Sequence, residues 1–335
     1  MDAYRRAGVD VGAASEAVTL IRDLASAASR PEVVAGVGGF AGLFRLDEER
    51  LLAAAADGVG TKVEIARAVG RFDSVGIDLV AMSANDVVCT GAEPLFFLDH
   101  VVVERLVPEQ VAEVVAGVAE GCRRAGCALL GGETAEHPGQ LEEGRFDLAG
   151  FCVGLVRRDE LLGPDRVKVG DALVGLPASG VHSNGFSLIR AAIAHAGLEL
   201  RSTPAGLGRA LSEELLEPTL IYASAVRAAA ATGALRAAAH VTGGGLPLNL
   251  PRALPEGLGA TLDRGGWPRP EVFGFLQRLA DVSEEEMFGT FNMGLGMVLV
   301  VDRAGAGPVI DAVRAAGLAG SMVGEVTADP GVALR

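Results

Sequence analysis

The chain has 335 residues, 50% of them hydrophobic and 21% charged, so it carries enough apolar material for a large core and lies outside the composition of disordered proteins. A formal net charge of −14 argues against nucleic acid and anionic membrane surfaces as partners. On a prior of roughly 150 residues per domain, the length predicts two domains.

Taken in order, the segment Met1–Arg6 is polar and predicts no signal peptide. No apolar run reaches the ~18–20 residues needed to cross a bilayer, so a soluble, cytoplasmic protein is expected. Ala17, Leu20, Ile21, Leu24 and Ala28 recur at helical spacing, and Pro31 stops that helix. Ala35–Phe44 reads as a Gly-rich hairpin, either a cover over a nucleotide or a plain turn between strands. Leu51–Ala56 reads as a strand that delivers Asp57-Gly58-Val59-Gly60-Thr61-Lys62, and Val63–Val69 as the helix that follows. Those six residues place a carboxylate, two glycines, a hydroxyl and an ammonium together. A carboxylate suits Mg²⁺, and free N–H groups with a lysine suit phosphate oxygens. Lys62 and Lys168 are the only lysines in a chain that otherwise uses Arg, which marks Lys62 out.

Ile77–Thr90 predicts a second helix, apolar for most of its length but carrying Asp78, Asn85 and Asp86. A carboxylate buried without a partner is costly, so Asp86 must face a polar site, hold a cation or cap a backbone. Gly91 and Pro94 turn the chain into a strand over Leu95–Val103. Pro108 opens a helix to Gly126 with Val111, Val114, Val115, Val118 and Cys122 on its apolar side. Ala128–Leu130 reads as a strand running into the loop Gly131-Gly132-Glu133, and Asp147–Val156 as another strand. Charged and turn residues cluster between Arg157 and Gly170 and predict the boundary, giving domains at 1–165 and 166–335. The second half opens with a strand over Asp171–Leu176. A small-residue loop then carries His182-Ser183-Asn184-Gly185 into the helix Phe186–Ala196, whose N-terminus suits an anion. Further on, His240 precedes Thr242-Gly243-Gly244-Gly245, and the tail alternates helix, strand, helix, strand from Pro270 to Val326. The expected class is mixed α/β. Cys89, Cys122, Cys127 and Cys152 form no C-x2-C pair and read as buried thiols.

The pattern Asp86-x4-Gly91-Ala92-x-Pro94, together with Asp57–Lys62, Gly131–Glu136, Gly38-Gly39-Phe40, His182–Gly185, His240 with Thr242–Gly245, and Thr290-Phe291-Asn292, resembles the aminoimidazole ribonucleotide synthetase family. These are the phosphoribosylformylglycinamidine cyclo-ligases of purine biosynthesis, and the resemblance runs through nearly the whole chain. It implies two α/β domains, the first pairing in a homodimer around a shared β-barrel, with strands 95–103 and 149–156 as natural pairing surfaces. It also implies ATP-dependent closure of formylglycinamidine ribonucleotide to aminoimidazole ribonucleotide, with release of ADP and phosphate. The carried-over residues for ATP are Asp57, Gly58, Gly60, Thr61, Lys62, Asn85, Asp86, Gly132 and Glu133, with Asp57, Asp86 and Glu133 on Mg²⁺. Those for the substrate phosphate and ribose are His182, Ser183, Asn184, Gly185, Thr242, Gly243, Gly244 and Gly245. Lys62 and Asp86 are expected to act in catalysis, with His240 as proton carrier.

Each of these residues also has a plainer reading. A single acid beside glycine is usually a cap or a surface turn, and a loop histidine often only shapes its loop. Asp78 reads as solvent-facing or as a cap on a neighbouring loop. His195 reads as a surface residue at a helix C-terminus, and His100 and His137 stand where the family commonly has Tyr and Met. Arg5 and Met293 also depart from the family pattern, which commonly has Lys at the first position and Cys at the second. Other enzymes sharing the aspartate–glycine pattern are selenophosphate synthetase, thiamine-monophosphate kinase and a hydrogenase-maturation dehydratase. The first and last are disfavoured by the lack of a cysteine at either end of this chain. A non-catalytic nucleotide-binding subunit would be expected to have lost acids that are present here.

Overall fold

The computed structural model describes residue 8 and residues 11–335; Arg5, singled out above, lies outside the described residues. After the helix α1 (Val11–Ser26), six strands build the first sheet: β1 (Val33–Ala35), β2 (Gly42–Arg45), β3 (Arg50–Gly58), β4 (Glu93–Val103), β5 (Ala128–Glu136) and β6 (Phe146–Arg157). Their spatial order is β1-β2-β3-β6-β4-β5, antiparallel throughout except for the β4/β5 pair. A parallel pair needs a crossover, supplied here by α4 (Pro108–Ala125). Pro108 starts that helix, and Gly126 ends it in the left-handed conformation at φ 76°.

Between β3 and β4 run α2 (Lys62–Val69) and α3 (Asp73–Val88). α3 is buried over almost its entire length. Two glycines explain how it fits under α4: a Cβ on Gly76 would lie 2.2 Å from the Val114 carbonyl oxygen, and one on Gly117 1.9 Å from that of Asp73. The helices therefore touch backbone to backbone, and their packing fixes the height of every side chain on α3.

The second sheet is formed by β7 (Ala172–Pro177), β8 (Leu235–His240), β9 (Gly259–Leu262), β10 (Leu295–Val301), β11 (Ser321–Thr327) and β12 (Gly331–Leu334), in the order β12-β9-β11-β7-β10-β8. The central strands β7 and β10 are apolar along nearly their whole length and buried, as strands covered on both faces must be. Helices α5 (Phe186–Ala196), α6 (Leu211–Leu215), α7 (Ala223–Ala231), α8 (Gly245–Asn249), α9 (Glu271–Ala280), α10 (Glu284–Phe288) and α11 (Ala306–Ala315) complete this half.

The mixed α/β class and most elements follow the sequence expectation. One difference matters for the site. Gly131-Gly132-Glu133 does not form a loop, because β5 continues to Glu136. Gly132 serves close strand approach: a Cβ there would lie 2.3 Å from the Asp99 carbonyl oxygen on β4. The short strands β9 and β12 carried no alternating pattern that would reveal them. The outer face of the first sheet is uncovered, with Leu130, Phe151 and Leu95 all exposed.

Candidate active site

The seam between the two sheets is organised by the polar side chains of α3. Asp78, eight residues before Asp86, is fully buried. Its Oδ1 accepts the Thr219 backbone N–H at 2.7 Å and the Thr219 hydroxyl at 2.6 Å, and its Oδ2 lies 2.7 Å from Lys62 Nζ. Lys62 is itself fully buried and donates to the carbonyls of His182 (3.1 Å) and Glu217 (2.9 Å). Burial pulls this ammonium below its ordinary range, and Asp78 opposes the shift. Asp78 thus does not face solvent; it caps the loop at Thr219 from the second half of the chain, one of its two sequence readings, and is also the anion of an ion pair with Lys62 within the first half. Three protein oxygens, from His182, Glu217 and Asp78, surround the buried Lys62 ammonium.

Two turns on, Asn85 and Asp86 meet His240 at the end of β8. Asn85 Oδ1 accepts the Tyr222 N–H at 2.9 Å, which fixes the orientation of the amide. Its Nδ2 then donates to the Leu220 carbonyl at 2.9 Å and faces His240 Nε2 at 3.3 Å. An amide N–H aimed at Nε2 requires that nitrogen to be the acceptor, so Nδ1 carries the proton and donates to Asp86 Oδ1 at 3.0 Å. His240 is 1% exposed, whereas the Asp86 side chain keeps 17% of its surface open. A chain of fixed partners therefore ends on one partly open carboxylate.

Asp57 closes β3, and its Oδ1 accepts the following Gly58 N–H at 2.7 Å. Its pKa is raised to about 6. Lost hydration is the main cause and the nearby Asp86 adds to it, against the pull of the Gly58 N–H, His240 and Arg252. Asp57 and Asp86 are thus brought together as a mutually repelling pair. Glu133 is not brought to them within one chain. It is in register with His100, which pairs with Ala149, which pairs with Gly58, so three strand spacings separate it from the end of β3. At ~4.8 Å per spacing this is about 14 Å. Among the described residues, no group of three or more His, Cys, Asp or Glu converges to hold a metal.

The glycine turn after β3 lies against the second half of the chain. Gly60, at φ 65°, sits beside the Ser183 carbonyl, and Thr61 Oγ1 is 3.3 Å from Ser187 Oγ in α5. Gly185 starts α5 at φ 80° without a side-chain cap, leaving the first-turn amides of the helix unclaimed by side chains. Ser183 Oγ pairs with Thr219 Oγ1 at 3.2 Å. His182 is buried in the left-handed region at φ 60°, and its Nε2 accepts the Ser179 N–H at 3.2 Å. Burial holds its pKa well below the usual range, so the ring is neutral, with its proton on Nδ1, which meets no protein partner. Asn184 Oδ1 reaches the open side of Gly243, joining this loop to the second one. There Thr242 Oγ1 donates to Asn249 Oδ1 at 3.2 Å, while Asn249 Nδ2 donates to the carbonyls of Gly243 (3.1 Å) and Gly245 (2.9 Å). A Cβ on Gly245 would lie 1.9 Å from the Phe288 carbonyl, so only glycine fits.

Sequence reasoning missed Thr219, Tyr222 and Asn249. Asn249 had a readable signal, a lone amide between Leu248 and Leu250, the same kind of signal that had marked Asn85. Thr219 and Tyr222 had none, since their partners on α3 are brought to them only by the fold. His100 and His195 are exposed and away from this seam.

The sequence matches the profile for the N-terminal domain of AIR synthase related proteins over residues 38–156, and that for their C-terminal domain over residues 168–335. It is 50% identical over 335 residues to a phosphoribosylformylglycinamidine cyclo-ligase of Synechococcus sp. (strain RCC307), covering 98% of this chain and 97% of that one. The identity is 49% to the enzyme of the same name from Myxococcus xanthus (strain DK1622), again covering 98% and 97%. Among solved structures, tt0281 from Thermus thermophilus superposes with a TM-score of 0.67 at 26% identity, covering 94% of this chain and 95% of that one.

Proposed function

The chain belongs to the AIR synthase related family, and from that premise we infer how its seam performs the reaction of the cyclo-ligases it matches over its full length. The activity is ATP-dependent ring closure of formylglycinamidine ribonucleotide to aminoimidazole ribonucleotide, a ligase step of purine biosynthesis. The observation that carries the reading of the site is the Asn85–His240–Asp86 chain ending beside Asp57.

The chemistry demands activation of a poor electrophile. A formamide oxygen leaves badly, and transfer of the γ-phosphoryl of ATP to it makes it a leaving group; the neighbouring amidine nitrogen then closes the ring and phosphate departs. Such a reaction needs positioning and charge neutralisation more than a protein nucleophile. Two oxygen-donor acids that repel each other, one of them with a raised pKa, fit a hard divalent cation such as Mg²⁺. Asp57 and Asp86 would hold it, and the ion would supply charge neutralisation at the transferring phosphoryl group. The Gly58–Thr61 turn and the uncapped start of α5 offer N–H groups to phosphate oxygens. The loops His182–Gly185 and Thr242–Gly245 form the side that would take the substrate phosphate and ribose. His240 holds Asp86 in place, and Lys62 ties the turn to loops of the second half of the chain.

Glu133, about 14 Å from Asp57 along the sheet, can join this site only from a second copy. We therefore propose a homodimer formed through the uncovered faces of β5 and β6. The test is phosphate release by the purified protein with Mg²⁺ and ATP, with and without formylglycinamidine ribonucleotide. Release that depends on substrate and matches the aminoimidazole formed supports the reading. ATP binding without product would sink it.

A further inference from the structure

We propose that Arg252 is a positioning residue that ties the glycine hairpin of the first half to the Thr242–Gly245 loop of the second. This rests on the reading of the seam as the nucleotide and substrate site.

Arg252 lies in the helical turn just after α8. Its Nη1 donates to Asn249 Oδ1 at 3.2 Å, and its Nη2 donates to the Gly39 carbonyl at 2.7 Å, 213 residues upstream. The guanidinium carbon stands 3.9 Å from the centroid of the Phe40 ring. Asn249 is the amide that holds the carbonyls of Gly243 and Gly245. One side chain thus grips the hairpin by its backbone and by its ring, and grips the substrate-side loop through that amide.

The hairpin is anchored to the sheet on one side only. Its second strand, β2, pairs with β3, but its first, β1, has three residues, all exposed, and forms the outer edge of the sheet. Its loop carries Gly36, Gly38 and Gly39. A second arginine braces the far side: Arg22 Nε donates to the Val37 carbonyl at 3.2 Å, and its guanidinium occupies the space a Cβ on Gly38 would need. Arg22 reaches from α1, within the first half of the chain, so Arg252 is the brace that crosses the seam. Only an arginine meets both of its demands, a fork of donors and a flat face for stacking; a lysine at the same place keeps the charge and loses both geometries.

The test is Arg252→Ala and Arg252→Lys, read by hydrogen exchange of the amides of residues 36–41 and by steady-state kinetics in ATP. A stacked, charge-assisted contact predicts that hairpin exchange accelerates by about tenfold or more in both variants. KM for ATP rises by a similar factor of about ten while kcat falls less, and exchange in α3 stays unchanged. Phe40→Leu moves the same readouts in the same direction by less, and the double variant falls short of additivity. Unchanged hairpin exchange, rescue by lysine, strict additivity, or exchange raised equally throughout the chain would overturn the proposal. If Arg252→Ala does not fold, Phe40→Leu carries the same test alone. A parent protein that forms no aminoimidazole product would sink the functional reading, while hairpin exchange would still decide the brace.

Discussion

Two aspartates on one helix show how differently a fold can treat the same side chain. Asp78 and Asp86 lie eight residues apart on α3, near one face. Asp78 is sealed: a backbone N–H, a hydroxyl and an ammonium surround it. Asp86 has one fixed partner, His240, an open flank, and a second carboxylate nearby, Asp57, whose charge it disfavours. The first is compensated by protein and serves to join the two sheets. The second has a single protein partner and an open flank, and is the acid proposed to hold a cation. Partner count, rather than burial alone, separates the acid held by protein groups from the one proposed for the site.

The sharpest way to break this comparison is to neutralise both acids. Asp86→Asn should lower turnover by on the order of 10²–10³-fold with an unchanged melting curve, as loss of a charge that acts in the transition state does. Asp78→Asn strands a buried ammonium and should instead cost about 3–5 kcal/mol of stability, seen in urea unfolding. Lys62→Met belongs with Asp78. If its loss cuts activity while leaving the melting curve untouched, the ammonium serves phosphate after all and the division between the two ends of α3 fails.

Glu133 offers a test of nearly equal size. Asp86→Asn and Glu133→Gln should each be nearly inactive alone. If the site is shared between copies, mixing the two variants under subunit exchange returns activity toward a quarter to a half of the parent's, because mixed dimers keep one intact site. Failure to complement, with exchange confirmed by mass, would place Glu133 outside the reaction.

These sites were unequally legible in the sequence. The acids and glycines stood out because each interrupts an apolar run, and Asp86 was expected for that reason to face a polar site, hold a cation or cap a backbone. What the sequence did not disclose is direction. Lys62 reads as a phosphate lysine from its place after two glycines, yet its ammonium turns toward Asp78, a partner set by how α3 packs under α4 through Gly76 and Gly117. Gly132 reads as a loop glycine, yet it sits in a strand because Asp99 crowds it from the neighbouring one. Arg252 lacked any local pattern, since its partner Gly39 lies 213 residues away. Spacing along the chain exposes the residue types; contacts between distant segments decide which of them face the ligand.

A smaller effect tests the oriented end of α3. If His240 acts by holding Asp86 rather than by moving protons, His240→Asn, which keeps a donor in place, should weaken Mg²⁺-dependent nucleotide binding by about 10-fold, within the range for groups that orient ligating carboxylates. The pH dependence of turnover should keep its shape. Nitrogen chemical shifts of the parent should show His240 protonated at Nδ1 and bare at Nε2. A proton on Nε2 would mean that Asn85 does not set the tautomer.

The smallest effect concerns the acid pair itself. Asp57 has a folded pKa of about 6 against an ordinary aspartate value of 3.8, so the metal-free fold binds a proton more readily than the unfolded chain does. By linkage, the stability this proton contributes is fully present below the unfolded value and is lost as pH rises through about 6. At pH 7.5 the carboxylate is ionised, and the Gly58 N–H, His240 and Arg252 only partly offset its lost hydration and the repulsion from Asp86. Asp57→Asn should therefore melt at a higher temperature than the metal-free parent at pH 7.5, with the gain disappearing toward pH 4. A divalent cation needs the ionised acid, so it reverses the balance: Mg²⁺ affinity should be flat above pH 7 and fall by up to about tenfold for each pH unit below 6. Calorimetry at pH 5.5, in buffers of different ionisation enthalpy, should show a proton released on binding. If Asp57→Asn gains nothing at pH 7.5 and Mg²⁺ binding is the same at pH 5.5 and 7.5, then Asp86 is no less compensated than Asp78, and the contrast between the two ends of α3 disappears.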